Sequence, residues 1–181
     1  DGIYCDLLAP RYPDVHTTIG GASRAESVHN GLQSILETDP ETDWVLIHDA
    51  ARPCLSSRSL DALFNMAFDS STGEVRCPGG ARLAVPVADT IKRAVEPPVD
   101  LASHRIRRRA GGRQPDEATG SEAPRPALIE RTVDRNRLWS AQTPQLFPLQ
   151  PLARHVADAM AAGAVHTDEA AVMEAAGHHP C

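Results

Sequence analysis

Aromatic residues are scarce in this chain, at 4 %, so a core has to be built from Leu, Val, Ile and Ala rather than from stacked rings. Positive charge is not in excess either: the formal net charge is -6 and the sequence pI lies near 5.7. That balance offers no global attraction to nucleic acid or to an anionic membrane, and an anionic ligand would have to be held by a local cluster. No apolar run approaches the roughly 18 residues that span a bilayer, and no charged-then-apolar leader opens the chain, so secretion is not expected. Cysteine is sparse and scattered. Cys5, Cys54, Cys77 and Cys181 contain no pair at the short spacing of a zinc knuckle or a redox motif, and they are expected to be reduced thiols of a cytoplasmic protein. An initiator methionine is lacking too: the chain opens with DGIYCDLLAP and stops at GHHPC, and it reads as a piece of something longer.

What remains is an ordinary folded composition. The 181 residues, 41 % hydrophobic and 23 % charged, fit a single domain. VHTTI, residues 15–19, is a candidate strand. From Ser23 onward Val28, Leu32, Ile35 and Leu36 recur at helical spacing, and Ser23 three residues before Glu26 resembles a capping box entered from a Gly-Gly turn. DWVLIHD is a short continuous apolar run, the pattern of a strand buried on both faces in a parallel sheet. In SSRSLDALFNMAF, Leu60, Leu63, Phe64 and Ala67 share a helical face, with serines for the N-terminus. RLAVPVADTIKRA reads as extended, its proline marking an edge or bulge. PLQPLARHVADAMAAG predicts a helix ended by Gly163, and TDEAAVMEAAG another, capped by Thr167 and stopped by Gly177. Alternating strands and helices point to an α/β sheet covered on both sides, with ligands beyond the carboxyl ends of the strands. Residues 97–127, rich in Pro, Gly, Arg and acids without a periodic apolar face, predict a disordered insertion.

Chemistry concentrates in a few stretches. In WVLIHDAARP, Asp49 ends a buried strand, where a carboxylate can hold magnesium or accept from a sugar hydroxyl. Ala50 and Ala51 leave room for a ligand, while Arg52 offers a fork of donors suited to phosphate and Pro53 fixes the turn. A plain Asp-to-Arg salt bridge tying down a loop explains the same residues equally well. In TVDRNRLWSAQTPQLF, Arg135 and Thr143 are a fork donor and a hydroxyl able to share a phosphate, though a strand and turn with a solvated arginine is the simpler account. HTDEA is explained completely by a capping Thr167 followed by favourable first-turn acids. GGASRAES puts two glycines before helix amides that can meet a phosphate or ribose, or makes only a turn. RIRRRAGGR, residues 105–113, lacks interleaved aromatics and reads as a solvated loop rather than an RNA-binding patch. His178, His179 and Cys181 carry metal-capable atoms, but no partner cluster accompanies them in the sequence, and no metal site is expected there.

Taken in order, GGASRAESV, VLIHDAARPCL, VPVADTIKR, TVDRNRLWSAQTPQLF and TDEAAVMEAAG resemble the 2-C-methyl-D-erythritol 4-phosphate cytidylyltransferase family of the non-mevalonate isoprenoid pathway. The likeness runs from about Gly20 to the end apart from the insertion, and HDAARP and TVDRN…TPQ are its most specific parts. It implies a Rossmann-like α/β nucleotidyltransferase sheet with an extended arm that embraces a second subunit, hence a homodimer with a shared active site. The implied reaction is attack by the phosphate of methylerythritol phosphate on the α-phosphorus of CTP, with Mg2+ carried mainly by the CTP phosphates. Related cytidylyltransferases for sugar-alcohol phosphates such as ribitol 5-phosphate share the scaffold.

Carried over residue by residue, the resemblance puts Gly21 and Ser27 near the cytidine and Asp49 and Ala50 at the junction of nucleotide and sugar. Arg52, Thr143 and Thr167 correspond to residues around the methylerythritol phosphate. Thr90 and Arg135 lie on the arm, reaching the neighbouring subunit's substrate, with Arg135 orienting the attacking phosphate as the catalytic residue. The family's N-terminal glycine-rich loop, with its arginine and lysine, and the C-terminal segment with its substrate-positioning lysine have no counterpart here. The chain is therefore expected to be truncated at both ends, to lack the first strand of the sheet and to be inactive alone, since a missing cationic donor costs about 10²- to 10³-fold in rate. Ala22 replaces an acidic residue often found after the glycine pair. Two other readings stand beside the enzyme: a non-catalytic binding or dimerisation module, and a nucleic-acid tether carried by the arginine-rich insertion.

Overall fold

The computed structural model describes residues 10–95 and 128–181, so the disordered insertion expected at 97–127 and the arginine-rich run within it lie outside the described residues. The described chain forms two compact units, one comprising residues up to Ala84 together with Ala141–Cys181, the other running from Val85 to Ser140.

In the first unit the elements are α1 (Arg24–Thr38), β1 (Trp44–Ile47), α2 (Ser57–Ala67), β2 (Ala81–Pro86), β5 (Trp139–Pro148), α3 (Leu149–Ala161) and α4 (Glu169–Ala175). The sheet has the order β1-β5-β2. β1 pairs with β5 in antiparallel register, Val45 opposite Phe147 and Leu46 opposite Leu146. This corrects the parallel pairing expected of the DWVLIHD run: a strand buried on both faces has the same apolar pattern whichever way its neighbour runs. Both faces of the sheet carry helices, but within β1 only Val45 is fully buried. Val45 and Phe147 join Leu32 of α1, Leu149 and Leu152 of α3 and Met173 of α4 in one cluster. Leu146 faces the other way, onto Leu63 and Ala67 of α2 and Ala81 of β2. Each fully buried Leu or Phe contributes about 1.5–3 kcal/mol to this sandwich of helices on a sheet.

The helices begin and end for local reasons. Ser23 caps α1 by accepting from the Glu26 amide, and Ser56 caps α2 by accepting from that of Ser59. On α2 only Leu63 and Ala67 are buried; Phe64 remains 44 % exposed, stacked on Phe68, whose ring meets the edge of Trp44. α4 is capped by Asp168, whose Oδ1 accepts from the Ala171 amide at 2.8 Å, and not by Thr167 as the sequence suggested. Both residues are competent caps, and the chain enters the helix one residue later. VHTTI forms no strand.

The cysteines depart from expectation most clearly. Cys77 and Cys181 form a disulfide across 104 residues, so these two are not reduced thiols, while Cys54 is free and exposed. Among the described residues no helix is long and apolar enough to cross a membrane.

The second unit is a two-stranded antiparallel sheet of β3 (Ile91–Ala94) and β4 (Ile129–Val133), with Ile91 opposite Val133 and a register shift between Arg93 and Ala94. Lys92 Nζ donates to Thr132 Oγ1 at 2.7 Å across it.

Candidate functional site

The turn after β1 is tied to β5 by one hydroxyl. The Asp49 amide donates to Thr143 Oγ1 at 3.1 Å, and Thr143 Oγ1 lies 3.1 Å from His48 Nδ1. His48 Nε2 is in turn 2.9 Å from the Arg52 carbonyl. A carbonyl only accepts, so Nε2 carries a proton; in the neutral tautomer this leaves Nδ1 as the acceptor for the Thr143 hydroxyl. The relay fixes the His48 tautomer and closes the turn, helped by the Arg52 amide donating to the Asp49 carbonyl at 2.9 Å. Thr143 itself is buried midway along β5, before a cis peptide bond to Pro144.

The carboxylate of Asp49 sits between two cations. Arg52 Nε is 3.7 Å from Oδ2 and Arg24 Nη2 is 3.5 Å from Oδ1, with the Asp49 side chain 38 % and the Arg52 side chain 47 % exposed. The Asp-to-Arg bridge considered from sequence is therefore present, but at these distances and exposures such a pair contributes little. The half-exposed Arg52 lines, with His48, Thr143, Ala51 and Ser59, a pocket of about 350 Å³. Ala50, next to Asp49, is exposed.

A second knot joins α1 to α4. Arg24 donates from both terminal nitrogens to Glu169, at 2.6 and 2.8 Å, and the Glu169 side chain is only 4 % exposed. The bond to Glu169, followed by the charges of Glu169 and Asp49, holds the Arg24 guanidinium above its ordinary pKa against a partial burial cost. Thr167 lies exposed two residues before Glu169, on the rim of a pocket of about 170 Å³ that Arg24 and Asp168 also line. Gln145 of β5 steadies α4 from below: its Nε2 donates to Asp168 Oδ2 and its Oε1 accepts from the Ala170 amide, both at 3.1 Å.

At the start of α1 the Gly21 amide donates to Ser27 Oγ, and Ser27 Oγ to the Ser23 carbonyl, each at 2.9 Å. Glu26 folds back to accept from the Ala22 amide at 2.7 Å, one residue earlier than in a standard capping box. A Cβ at Gly21 would fall 2.4 Å from Glu26 Cβ, so the turn requires glycine there.

Of the sequence candidates, Asp49, Ala50, Arg52 and Thr143 form one cluster, Gly21 and Ser27 pair with each other, and Thr167 stands beside the Arg24–Glu169 knot. Thr90 and Arg135 belong to the second unit. Thr90 immediately precedes β3 and Arg135 follows β4 by two residues, and since Ile91 pairs with Val133 the two fall at the same end of that sheet. Both are exposed. Sequence reasoning missed His48, Arg24, Glu169 and Gln145, because their partners lie far away along the chain; the buried acid Glu169, within a stretch a helix cap explained fully, left no signal.

The strand-end acid and its flanking arginines sit at the edge of an α/β sheet with helices packed on it. The family model for IspD, 2-C-methyl-D-erythritol 4-phosphate cytidylyltransferase, matches residues 3–108 and 117–181. The protein of that name from Tolumonas auensis is 40 % identical over 180 residues, covering 99 % of this chain and 61 % of the relative; the one from Vibrio vulnificus strain YJ016 is 36 % identical with the same coverage. A crystal structure of 4-diphosphocytidyl-2C-methyl-D-erythritol synthase aligns with a TM-score of 0.66 at 36 % identity, over 98 % of this chain and 64 % of that one. The Francisella tularensis 2-C-methyl-D-erythritol 4-phosphate cytidylyltransferase aligns with a TM-score of 0.60 at 29 % identity, over 89 % and 58 %. This chain belongs to the 2-C-methyl-D-erythritol 4-phosphate cytidylyltransferase family. It spans about 61 % of the length of the curated relatives it matches.

Proposed function

We propose that this protein transfers a cytidylyl group from CTP to 2-C-methyl-D-erythritol 4-phosphate, giving 4-diphosphocytidyl-2-C-methyl-D-erythritol and pyrophosphate. The observation that carries the reading is the bond from the Asp49 amide to Thr143 Oγ1, which brings the two most specific sequence blocks into one cluster beside the half-exposed Arg52. In the reaction an oxygen of the acceptor phosphate forms a bond to the α-phosphorus of CTP while the bond from that phosphorus to the bridging oxygen of pyrophosphate breaks. A phosphate oxygen needs no strong base, so positioning and charge neutralisation carry the catalysis.

In this reading Arg52 and Thr143 receive the acceptor phosphate, with Thr167 beside them, and Asp49 and Ala50 meet the junction of nucleotide and sugar. A phosphate oxygen only accepts, so Thr143 serves it by turning its hydroxyl away from His48. Gly21 and Ser27 lie by the cytidine, and Arg135, with Thr90, orients the attacking phosphate of a partner subunit. A homodimer is part of the proposal. Its support is the two-stranded β3–β4 sheet, which is marginal on its own in water and leaves Ile129 exposed. The strand-end carboxylate of Asp49 is already flanked by two arginines. Magnesium is accordingly proposed to enter with CTP as part of the substrate. A cytoplasmic location is proposed from the use of CTP. Residues 1–181 alone are proposed to be inactive, because nothing in them corresponds to the family's cationic triphosphate loop.

The test is pyrophosphate release by the protein as its gene encodes it, with CTP and either 2-C-methyl-D-erythritol 4-phosphate or ribitol 5-phosphate. Turnover restricted to the first acceptor supports the reading; preference for ribitol 5-phosphate transfers it to another sugar-alcohol phosphate, and release with neither leaves only a binding or dimerisation module.

A further inference from the structure

We propose that His155 and His178 form a two-histidine binding site for a divalent first-row transition metal ion such as Zn2+. His155 projects from α3 and His178 follows α4, and their Nε2 atoms face each other at 3.2 Å, with ring centroids 5.2 Å apart and planes tilted by 55°. Zinc binds imidazole nitrogen at about 2.0–2.1 Å, so two ligands on a tetrahedral zinc stand about 3.3 Å apart. The pair already has that bite.

Both rings are held in place before any metal arrives. His155 rides on a helix anchored by the buried Leu152, one turn before it, and by the buried Val156 beside it. His178 is fixed by the way α4 stops. Gly177 takes a φ of +88°, its amide donates to the Glu174 carbonyl at 3.0 Å, and the His178 amide donates to that of Met173 at 2.9 Å. This paired arrangement ends a helix with a defined exit direction. Three residues on, the Cys181 amide donates to the Gly80 carbonyl at 2.9 Å, the Cys181 carbonyl accepts from the Arg82 amide at 3.0 Å, and the disulfide to Cys77 fastens the segment. Cys181 is thereby removed as a thiolate ligand, and the partner the terminal histidines lacked in the sequence is His155, supplied by the fold from 23 residues away.

Metal binding requires a neutral imidazole with a free Nε2 lone pair on each ring. Asp158, about one helical turn on, and His166 line with His155 a cavity of about 370 Å³, which His178 does not line. Without metal, one Nε2–H must donate to the other Nε2. On binding, that proton passes through solvent to Nδ1 of its own ring, both Nε2 lone pairs turn to the ion, and no electron moves. The bound ion would pin the segment after α4 to α3.

The experiment is a titration of the untagged protein with zinc chloride near neutral pH under non-reducing conditions, in a Cys5→Ser, Cys54→Ser background that removes the two cysteines outside the Cys77–Cys181 disulfide. Nitrogen NMR of the histidine side chains is expected to shift Nε2 of His155 and His178, leaving His16, His29 and His48 in place. Affinity is expected to fall at least about tenfold in His155→Ala and in His178→Gln, as for loss of an ordered metal contact. Shifts confined to His166 and His179, affinity unchanged in both variants, or no zinc binding would each overturn the site and leave a plain histidine–histidine hydrogen bond. The NMR readout uses unaltered histidines, so a misfolded variant does not rescue the proposal.

Discussion

The Asp49 amide donates to the Thr143 hydroxyl at 3.1 Å although 94 positions separate the two residues. The same oxygen meets His48 Nδ1, so one side chain closes the turn that carries Asp49, Ala50 and Arg52. Thr143→Val keeps the shape and removes both bonds. It is expected to cost about 1–3 kcal/mol in urea denaturation, the desolvation penalty of the amide left unmet, and to raise the KM for the acceptor phosphate. Thr143→Ser should recover most of both; an unaltered Val variant would contradict the relay.

Arg24 bridges the buried Glu169 and the half-exposed Asp49. Arg24→Ala leaves the Glu169 carboxylate buried without its cation, while Glu169→Gln retains an acceptor. The alanine variant is expected to lose about 1–3 kcal/mol, discounted from the cost of a fully buried pair because Arg24 is itself partly solvated. The glutamine variant should lose less. Equal losses in calorimetry would show that packing, not charge, sets the value of the contact.

These two relationships mark where the sequence was informative and where it was not. Helices α1 to α4 and the apolar β1 were visible because each carries its own periodicity and end signals: Ser23, Ser56, Gly163 and Gly177 act within a turn of where they stand. The antiparallel partner of β1 was invisible, since Val45 and the partly buried Leu46 pack on opposite faces whichever way the next strand runs. The Thr167 cap was misplaced by one residue because Asp168 caps equally well. His48, Arg24 and the Cys77–Cys181 pair depend on partners far off in the chain, which spacing rules do not reach. HDAARP and TPQ were visible as separate blocks able to carry chemistry, but not the hydroxyl relay that joins them.

The Cys77–Cys181 disulfide closes a loop across a sequence separation of 104 residues. In the chain-entropy account such a cross-link contributes about 2–5 kcal/mol. Thermal unfolding with and without a dithiol reductant should show this loss, and Cys77→Ser should reproduce it while becoming insensitive to reductant. A reductant effect that persists in Cys77→Ser would contradict the pairing.

Asp69 follows α2 and organises the turn leading to Cys77. The Ser71 hydroxyl first, then the Ser71 amide, Arg76 and the Thr72 amide hold its carboxyl well below the usual carboxylate range. The unfolded chain therefore takes up this proton at a higher pH than the folded one. The stabilisation is complete above the ordinary aspartate pKa of about 3.9 and is lost as pH falls through the folded-state value. Asp69→Asn should flatten the acid limb of the stability profile, and an unchanged limb would contradict the assignment.

The proposed reaction is tested most directly by identifying its product. The protein as its gene encodes it, given CTP, Mg2+ and 2-C-methyl-D-erythritol 4-phosphate, is expected to form a cytidine diphosphate sugar alcohol, seen by phosphorus NMR as two coupled diphosphate resonances alongside pyrophosphate. Arg52→Ala should reduce its rate about 10²-fold or more, as removal of a preorganised cationic donor does. Absence of the coupled resonances, or an Arg52→Ala variant as fast as the unaltered protein, would contradict the assignment of this site.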